Sequence, residues 1–341
     1  MGQIKLKEIR LKILIYIPTF GRPQILMHLL DQIIKQKKDY LSGAVRPLLT
    51  PIDFVIMVSV NGDLSYDLEA IKKFADSVTY QEFNLGADIN IALGFTNALK
   101  IHADYLMILG DDEPISDKLL SNISKVLQAD LTPDLILGSK KFIGDKNISK
   151  KLWSDLNSEM GGTLSFISST IYKVIFNEKD AESSILYAFT GYSHLVIQHR
   201  LLNEYLNLRI CAIPVQDLVD YDYKISVDPL IPRNSLGFRE SFVFFGKVLS
   251  VLGSENEKYI NAELKKWWLK NWHRASMYRH KKEFRGELIY RLEPNSFLVK
   301  IFIAASKIPY WKIKDLIKPV KNSRKPLYIY PPSSEAVKKN D

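Results

Sequence analysis

Three consecutive acidic residues, Asp111, Asp112 and Glu113, follow an apolar run in the sequence, with Gly110 between the run and the triplet. Adjacent carboxylates repel one another unless they are solvated or bound to a cation. Mg²⁺ and Mn²⁺ prefer oxygen ligands and leave coordination positions open for substrate phosphates. The alternative is a solvated turn, or a helix N-terminus where carboxylates face the positive end of the dipole, and Pro114 fits a first helical turn. The triplet alone therefore indicates either a metal site or a polar turn.

Three further polar loops follow apolar runs earlier in the chain. They are Pro-Thr-Phe-Gly-Arg at 18–22, Asn-Gly-Asp at 61–63 and Asn-Leu-Gly-Ala-Asp at 84–88. Loops after strands are generally polar and rich in Gly, Asn and Asp, so turn formation alone explains any one of them. Four such loops in succession favour a binding edge, because ligands of parallel sheets collect at the carboxyl ends of the strands.

The elements that must position these loops alternate in hydrophobic period along the first 140 residues. Short apolar runs predict strands, and apolar residues at helical spacing predict helices between them. The predicted strands are 12–17, 54–60, 77–83 and 105–109, and the predicted helices are 24–35, 68–74 and 89–101. This alternation is typical of an α/β domain with a largely parallel sheet.

The pattern is less regular after residue 140. Segment 164–176 fits a strand or a short helix, 187–208 includes a helix that begins near Gly191, and 217–233 fits a loop or a last strand. From residue 241 onward the pattern is helical, and a basic helix containing three tryptophans is predicted to end near residue 284. A disordered tail is predicted at the end of the chain.

The 341 residues carry a net charge of +9, from 47 basic and 38 acidic residues, and the excess lies near the C-terminus. Residues 265–341 hold 19 Lys and Arg against 6 Asp and Glu, which leaves the preceding residues mildly acidic. Basic residues interleaved with tryptophan favour contact with an anionic membrane surface. A helical bundle with tryptophans in its core is the alternative. No recognised nucleic-acid motif is present, so nucleic acid is not expected as a partner.

The composition, with 46% apolar and 25% charged residues, is that of a globular enzyme. The single cysteine, Cys211, excludes an internal disulfide and a cysteine-based zinc site. No apolar stretch approaches the roughly 20 residues that cross a bilayer, and the N-terminus lacks the apolar core of a secretory signal. The sequence predicts a cytoplasmic protein, peripheral on the inner face of the cytoplasmic membrane.

The four loops and the apolar runs before them resemble family-two glycosyltransferases of the GT-A fold. The resemblance covers roughly residues 11–200 and is carried by Ile-Pro-Thr-Phe-Gly-Arg-Pro, Val-Ser-Val-Asn-Gly-Asp, Asn-Leu-Gly-Ala-Asp-Ile-Asn and Tyr-Leu-Met-Ile-Leu-Gly-Asp-Asp-Glu. Leu-Ser-Phe-Ile-Ser-Ser-Thr-Ile-Tyr-Lys at 164–173, followed by Gly-Tyr-Ser-His-Leu at 191–195, resembles the abequosyltransferase-like branch, which builds bacterial surface polysaccharides.

The resemblance implies an α/β, GT-A-like and Rossmann-related fold, with a mostly parallel sheet flanked by helices. It implies a glycosyltransferase domain over 1–235, whose nucleotide-sugar half ends at about residue 140 and whose acceptor half follows, then a basic helical region at 236–325 and a disordered tail at 326–341. The implied activity is Mn²⁺- or Mg²⁺-dependent hexosyl or deoxyhexosyl transfer from a nucleotide-sugar to a glycan or lipid-linked acceptor. The implied reaction inverts the anomeric carbon and serves O-antigen or capsule synthesis.

The resemblance also implies which residues bind the donor. Thr19 and Arg22 would lie by the base and ribose, and Asp112 would ligate the metal with help from Asp111. Gly110 takes the first position of the family's Asp-x-Asp motif, which shifts metal and diphosphate binding onto the two aspartates after it. The full set of implied nucleotide-sugar contacts is Pro18, Thr19, Arg22, Asn61, Asp63, Asn84, Gly86, Asp88 and Asp111.

Inverting members of the family usually carry an acidic general base downstream of the metal motif, and His194 stands in that place here. An imidazole titrates near neutral pH and can take a proton from a sugar hydroxyl. The alternative is a histidine held in a core or helix-capping network. Tyr192, Asp217 and Glu182 are the remaining candidates for the base, in that order.

Two other classes of function stay open on the sequence. A nucleotidyltransferase shares the α/β base and the acidic metal site, but it normally begins with a Gly-rich loop that contains Arg, and segment 18–22 has one glycine. A non-catalytic binding protein that keeps the fold is the other class.

Overall fold

The computed structural model describes residues 10–42, 51–129, 132–149, 153–164, 166–188 and 192–219. The chain divides into two units, Met1–Lys266 and Trp267–Asp341, and all of the described residues belong to the first. The predictions for the basic region 236–325, for the tail 326–341 and for most of segment 217–233 lie outside the described residues.

The first half of the described chain alternates strand and helix as the hydrophobic period predicts. In order come β1 (Leu11–Thr19), α1 (Pro23–Leu41), β2 (Ile52–Asn61), α2 (Leu68–Lys72), β3 (Ser77–Gln81), α3 (Ala87–Lys100) and β4 (Tyr105–Ile108). Every element predicted for this part is confirmed. Helix α1 begins at a proline, whose fixed φ suits the first helical turn.

The second half has shorter elements. They are α4 (Leu119–Gln128), β5 (Leu135–Ser139), β6 (Gly144–Ile148), α5 (Trp153–Glu159), a 3₁₀ turn (Ile167–Ser169), β7 (Thr170–Lys173), α6 (Glu178–Leu186), α7 (Ser193–Glu204), β8 (Leu208–Pro214) and a 3₁₀ turn (Val215–Asp217). Segment 164–176 contains both of the predicted alternatives, because its 3₁₀ turn leads into β7. Helix α7 begins close to Gly191, as predicted.

The described strands form one eight-stranded sheet in the order β3-β2-β1-β4-β7-β5-β8-β6. Strands β1, β2, β3 and β4 are mutually parallel, and β5 is parallel to β8. Strand β7 runs antiparallel to both β4 and β5, and β6 runs antiparallel to β8. The carboxyl ends of β1–β5 and β8 therefore lie at one edge, and the predicted mostly parallel α/β sheet is confirmed.

The core lies against both faces of β1, whose central residues 13–17 are fully buried. Leu26, Leu30 and Ile33 of α1 share one helical face and pack over one side of this strand. On the other side α3 approaches closely, because a β-carbon at Gly94 would lie 2.8 Å from Tyr16 Cδ1. Because β1 is packed on both faces, its position is fixed, and with it the position at which the loop at 18–22 begins.

Candidate active site

A chain of hydrogen bonds joins the loops after β1, β2 and β4. The backbone N–H of Arg22 donates to the Tyr66 hydroxyl at 2.9 Å. The hydroxyl oxygens of Tyr66 and Thr19 are 2.6 Å apart, and Thr19 Oγ1 donates to Asp111 Oδ2 at 2.5 Å. Because Thr19 has one hydroxyl proton and gives it to Asp111, Tyr66 must donate to Thr19. The chain therefore runs in one direction and ends on a buried carboxylate.

The guanidinium of Arg22 bridges two carboxylates of the acidic triplet. Its Nη2 forms an ion pair with Asp111 Oδ1, and its Nη1 donates to Asp112 Oδ2. The Asp111 side chain is 1% exposed and the Asp112 side chain is 38% exposed, so the bridge joins a buried partner to one that meets solvent. Burial raises the pKa of Asp111 to about 6, and the charge of Arg22 opposes that rise. Three residues of the predicted donor and metal site thus lie together.

Glu113, the third carboxylate of the triplet, lies over Gly110. A β-carbon at Gly110 would lie 3.1 Å from Glu113 Cδ, so a larger residue there would crowd the carboxyl group. Burial raises the pKa of Glu113 to about 7. A hydrogen bond from Ser168 opposes that rise, whereas the two neighbouring aspartates add to it. Ser168 Oγ also accepts the Gly110 N–H at 3.1 Å, and this contact ties the triplet to the 3₁₀ turn that precedes β7.

Tyr66 and Ser168 are site residues that sequence reasoning missed. Tyr66 lies outside the motif strings, in the loop between β2 and α2. Ser168 lies within a string that indicated only a branch of the family. A lone tyrosine or serine carries no signal of its own, because each gains its role from the neighbours that the fold supplies.

Asn61 connects the loop after β2 to the loop after β3. Its Nδ2 donates to Asn84 Oδ1 at 3.0 Å, and its Oδ1 accepts the Leu85 N–H at 2.8 Å. Asn84 Oδ1 also accepts the Gly86 N–H at 2.9 Å. Both polar groups of the buried Asn61 amide are therefore used within the protein, where they position the loop that precedes α3.

Asp63 lies where the loops after β1 and β2 meet. Its Oδ1 accepts the Ser65 N–H at 2.9 Å, which closes a turn. Its Oδ2 is 3.9 Å from the position that a β-carbon at Gly21 would take. Pro18 of β1 pairs in register with Ser59 of β2, so the loops that follow the two strands begin side by side at the edge of the sheet.

Gly62 is the residue on which the approach of these loops depends, and we expect Gly62→Ala to lower stability strongly. Its φ is +65°, and a β-carbon there would lie 2.3 Å from the backbone nitrogen of Asn84. Gly162, with φ of +85° and nothing within 4 Å of its would-be β-carbon, is the matched control. Gly162→Ala should cost only the backbone strain, on the order of 1–2 kcal/mol, whereas Gly62→Ala adds the clash. Urea denaturation measures both, and equal losses would contradict this account.

The first turns of α3 and α7 meet at the same edge of the sheet. Ser193 Oγ donates to the backbone carbonyl of Asp88 at 3.1 Å, which fixes the start of α7 against α3. Burial, followed by the charge of Asp88, raises the pKa of the Tyr192 hydroxyl, so Tyr192 keeps its proton at neutral pH. His194 is 3% exposed, and its ring centroid lies 6.1 Å from that of Tyr192. The two leading candidates for the base are thus neighbours beside the predicted donor loop.

The other two candidates for the base are held by different contacts. Asp217 stands in the 3₁₀ turn after β8, where its carbonyl accepts a hydrogen bond from the Asn122 side chain at 3.0 Å. The Ser116 N–H donates to the Leu218 carbonyl at 3.1 Å, so this turn packs on the segment that follows the triplet. Glu182 is exposed on α6. Neither candidate has a hydrogen bond or ion pair to the triplet among the described residues.

A cavity of about 380 Å³ lies between the start of α1 and the segment that leads into α2. Its walls are mostly apolar, and Tyr66 is part of them, so this residue joins the cavity to the hydrogen-bond chain. The lining residues are Pro23, Gln24, Met27, Ser65, Tyr66, Asp67, Ala70 and Ile71.

Asp112 is the residue of the triplet through which a divalent cation would be held. Within the described ranges, no group of three or more His, Cys, Asp and Glu side chains could hold a metal ion by itself. Both oxygens of Asp111 are engaged, by Thr19 and Arg22, whereas Asp112 is engaged through Oδ2. A cation shared between Asp112 and donor phosphates fits this arrangement, because one or two carboxylates plus substrate phosphates are the usual ligands of Mg²⁺.

Solved structures of TarS from S. aureus resemble the chain. The complex of TarS 1–349 with UDP-GlcNAc has a TM-score of 0.52 at 15% identity, over 90% of this chain and 84% of that chain. The complex with UDP has a TM-score of 0.51 at 15% identity, over 89% of this chain and 90% of that chain. A longer TarS structure gives 0.50 at 14% identity, over 92% of this chain and 56% of that chain.

The fold is GT-A-like. No protein-family model matches the sequence. No curated protein matches it either. At 14–15% identity the likeness to TarS shows the fold alone, so the reaction and its substrates must be argued from the residues of the site. The abequosyltransferase-like branch stays a prediction.

Proposed function

We propose that the chain is a glycosyltransferase that moves a sugar from a nucleotide-sugar to a glycan or lipid-linked acceptor. The observation that carries the proposal is the bridge from Arg22 to Asp111 and Asp112. It lies at the carboxyl edge of a GT-A-like sheet, which is where parallel sheets bind ligands. TarS structures with a similar fold hold UDP or UDP-GlcNAc, which supports a nucleotide-sugar as the class of donor.

The loops around the bridge divide the proposed donor site. The loops at 61–63 and 84–88 would face the base and ribose, with Asp63 and Asp88 as hydrogen-bond acceptors. The diphosphate would lie nearer to Arg22 and Asp112, so Arg22, which the resemblance placed by the base and ribose, is reassigned here to the diphosphate because it contacts the triplet. An arginine suits a diphosphate because its planar N–H donors bind phosphate oxygens in pairs. Asp111, through its contact with Nη2, would hold the guanidinium in place for that task.

The proposed reaction breaks the bond between the anomeric carbon and a diphosphate oxygen, and it forms a bond from the acceptor oxygen to the same carbon with inversion. Arg22 would offset the negative charge that grows on the diphosphate. A divalent cation held by Asp112 would supply Lewis-acid stabilisation of the leaving group. His194 is the proposed general base that takes the proton of the acceptor hydroxyl.

Thermal unfolding against a panel of nucleotide-sugars, with and without Mn²⁺, tests this function. A donor that binds only the folded state raises its stability, by about 2.7 kcal/mol at a hundred times its Kd. We expect one nucleotide-sugar to raise the Tm, and its hydrolysis or transfer to release a nucleoside diphosphate. Release of pyrophosphate would identify a nucleotidyltransferase instead. Stabilisation without turnover in the presence of acceptor glycans would indicate a binding protein.

We also propose that the basic C-terminal region contacts the membrane, and its charge surplus and its tryptophans support this. No helix in the described ranges is long and apolar enough to cross a membrane. Full-length protein should float with vesicles of anionic lipid at low salt and be released at high salt, because salt screens exposed charges. Equal flotation with neutral vesicles would contradict the proposal. An acceptor embedded in the membrane, as in O-antigen or capsule synthesis, would suit such a surface.

A further inference from the structure

We propose that Arg22, while it stays paired with Asp111, also pairs with Asp112 and so keeps a divalent metal off that carboxylate. A diphosphate that binds the Arg22 guanidinium would release Asp112 for the metal. Metal binding and donor binding would then be coupled, with the donor opening the metal site. This inference rests on the proposed function, because it concerns the order in which that same site is filled.

Arg22 is held firmly on one side. Its backbone N–H is bound to the Tyr66 hydroxyl, and its Nη2 faces Asp111, which is buried. The second oxygen of Asp111 is fixed by Thr19. A buried carboxylate and guanidinium hold each other strongly, because either one without the other would be an unpaired charge in a poorly solvated place. The contact with Asp111 is therefore the anchor of Arg22.

The contact with Asp112 is the exchangeable one. Asp112 is 38% exposed and Arg22 is 24% exposed, so water competes for both partners. Ion pairs open to solvent contribute little to stability. The Nη1 edge of Arg22 can therefore leave Asp112 at small cost while Nη2 stays on Asp111. The diphosphate of a nucleotide-sugar, with one negative charge on each phosphate, offers Nη1 an equally good acceptor.

The charges at the site set the direction of the coupling. In the free protein, Asp112 Oδ2 already has a positive partner, so Mn²⁺ arriving alone must share that carboxylate with Arg22 or displace it. A diphosphate arriving alone meets the negative charge of Asp112. When both arrive, Nη1 turns to the phosphate and Asp112 becomes free for the metal. Each ligand then raises the affinity for the other by the same factor, and such factors are typically about 5–150-fold.

Binding of Mn²⁺ alone tests this assignment. The protein is titrated with Mn²⁺, and the EPR signal of the free ion reports how much metal stays unbound. We expect wild-type protein to bind Mn²⁺ weakly, and Arg22→Gln to bind it about 10-fold more tightly. Arg200→Gln removes the same charge at a pair with Asp180, outside the site, and should leave Mn²⁺ affinity unchanged. The double variant Arg22→Gln/Asp112→Asn should lose the gain.

Arg22→Gln leaves the buried Asp111 unpaired and can lower stability. The Asp111→Asn substitution removes the unpaired carboxylate. The Mn²⁺ affinity of Arg22→Gln/Asp111→Asn is therefore compared with that of Asp111→Asn, and this comparison repeats the test without a buried charge at position 111. No gain in either comparison, or a gain that survives Asp112→Asn, would overturn the proposal. The titration needs neither a sugar donor nor turnover. Its failure is therefore distinct from a failure of the proposed function, which the nucleotide-sugar panel reports.

Discussion

Asp112→Asn is expected to abolish sugar transfer and to leave the fold intact. The side chain is 38% exposed and an amide has nearly the same shape, so the substitution removes a charge without disturbing packing. The proposed metal stabilises the leaving diphosphate by several kcal/mol, and about 1.4 kcal/mol corresponds to a factor of ten. A loss of about a thousandfold in kcat is the expected scale.

Transfer assays with and without excess EDTA measure this effect, and Mn²⁺-dependent nucleotide binding should weaken in parallel. Asp53→Asn, an exposed aspartate of β2, is the matched control and should retain full activity. An Asp112→Asn protein with full activity, or a wild-type protein unaffected by EDTA, would remove the metal from the proposed reaction. Arg22 would then be the remaining cation for the diphosphate.

His194→Ala is expected to lower kcat by about 10²–10⁴-fold, the usual contribution of a general base, with donor affinity nearly unchanged. His194 lies in the first turn of α7, next to Tyr192 and beside the loop that carries Asp88. Because the side chain is 3% exposed, truncation also leaves a cavity. His194→Gln, which fills most of the volume, separates lost packing from lost chemistry and should be equally inactive.

The pH–rate profile gives a second readout for His194. A neutral base must be unprotonated, so activity should fall toward acid pH and the acidic limb should vanish in the variant. Glu113, with its pKa raised to about 7, titrates near neutral pH and can produce an acidic limb of its own. Glu113→Gln is therefore the control. If its profile loses the limb and that of the His194 variant keeps it, the limb belongs to Glu113.

Other outcomes would reassign His194. Activity of His194→Ala within a few-fold of wild type would transfer the role to Asp217, because the raised pKa of Tyr192 keeps its hydroxyl protonated. Loss of donor or Mn²⁺ binding would make His194 a ligand of the diphosphate or the metal. Only the loss of kcat with an intact donor affinity supports the base.

The hydrophobic period was sufficient to predict β1 through β4 and the helices between them, because each strand is a short apolar run between amphipathic helices. The position of the acidic triplet at a strand end followed from the same reasoning. Strands β5, β6 and β8 and helices α4, α5 and α6 were not predicted, and the order of the strands in the sheet depends on tertiary packing. The antiparallel insertion of β7 between β4 and β5 is likewise absent from any local pattern.

The site, like the fold, could be predicted only in part from the sequence. Residue types after the strands indicated where a ligand would bind. The partnership of Arg22 with Asp111 and Asp112 joins positions far apart in the sequence, and no spacing rule reveals it. The burial that raises the pKa of Glu113 likewise depends on how the loop after β4 packs. The contacts of the His194 ring also depend on the fold, and its role as the base stays a prediction.

Strand β7 has a mechanical consequence for the sheet. In the described sheet it alone joins β1–β4 to β5, β8 and β6, and it pairs with each neighbour over three residues, whereas β1 and β2 pair over nine. The two halves of the described sheet therefore depend on one short strand, and Ser168, in the 3₁₀ turn just before it, ties that strand to Gly110 after β4.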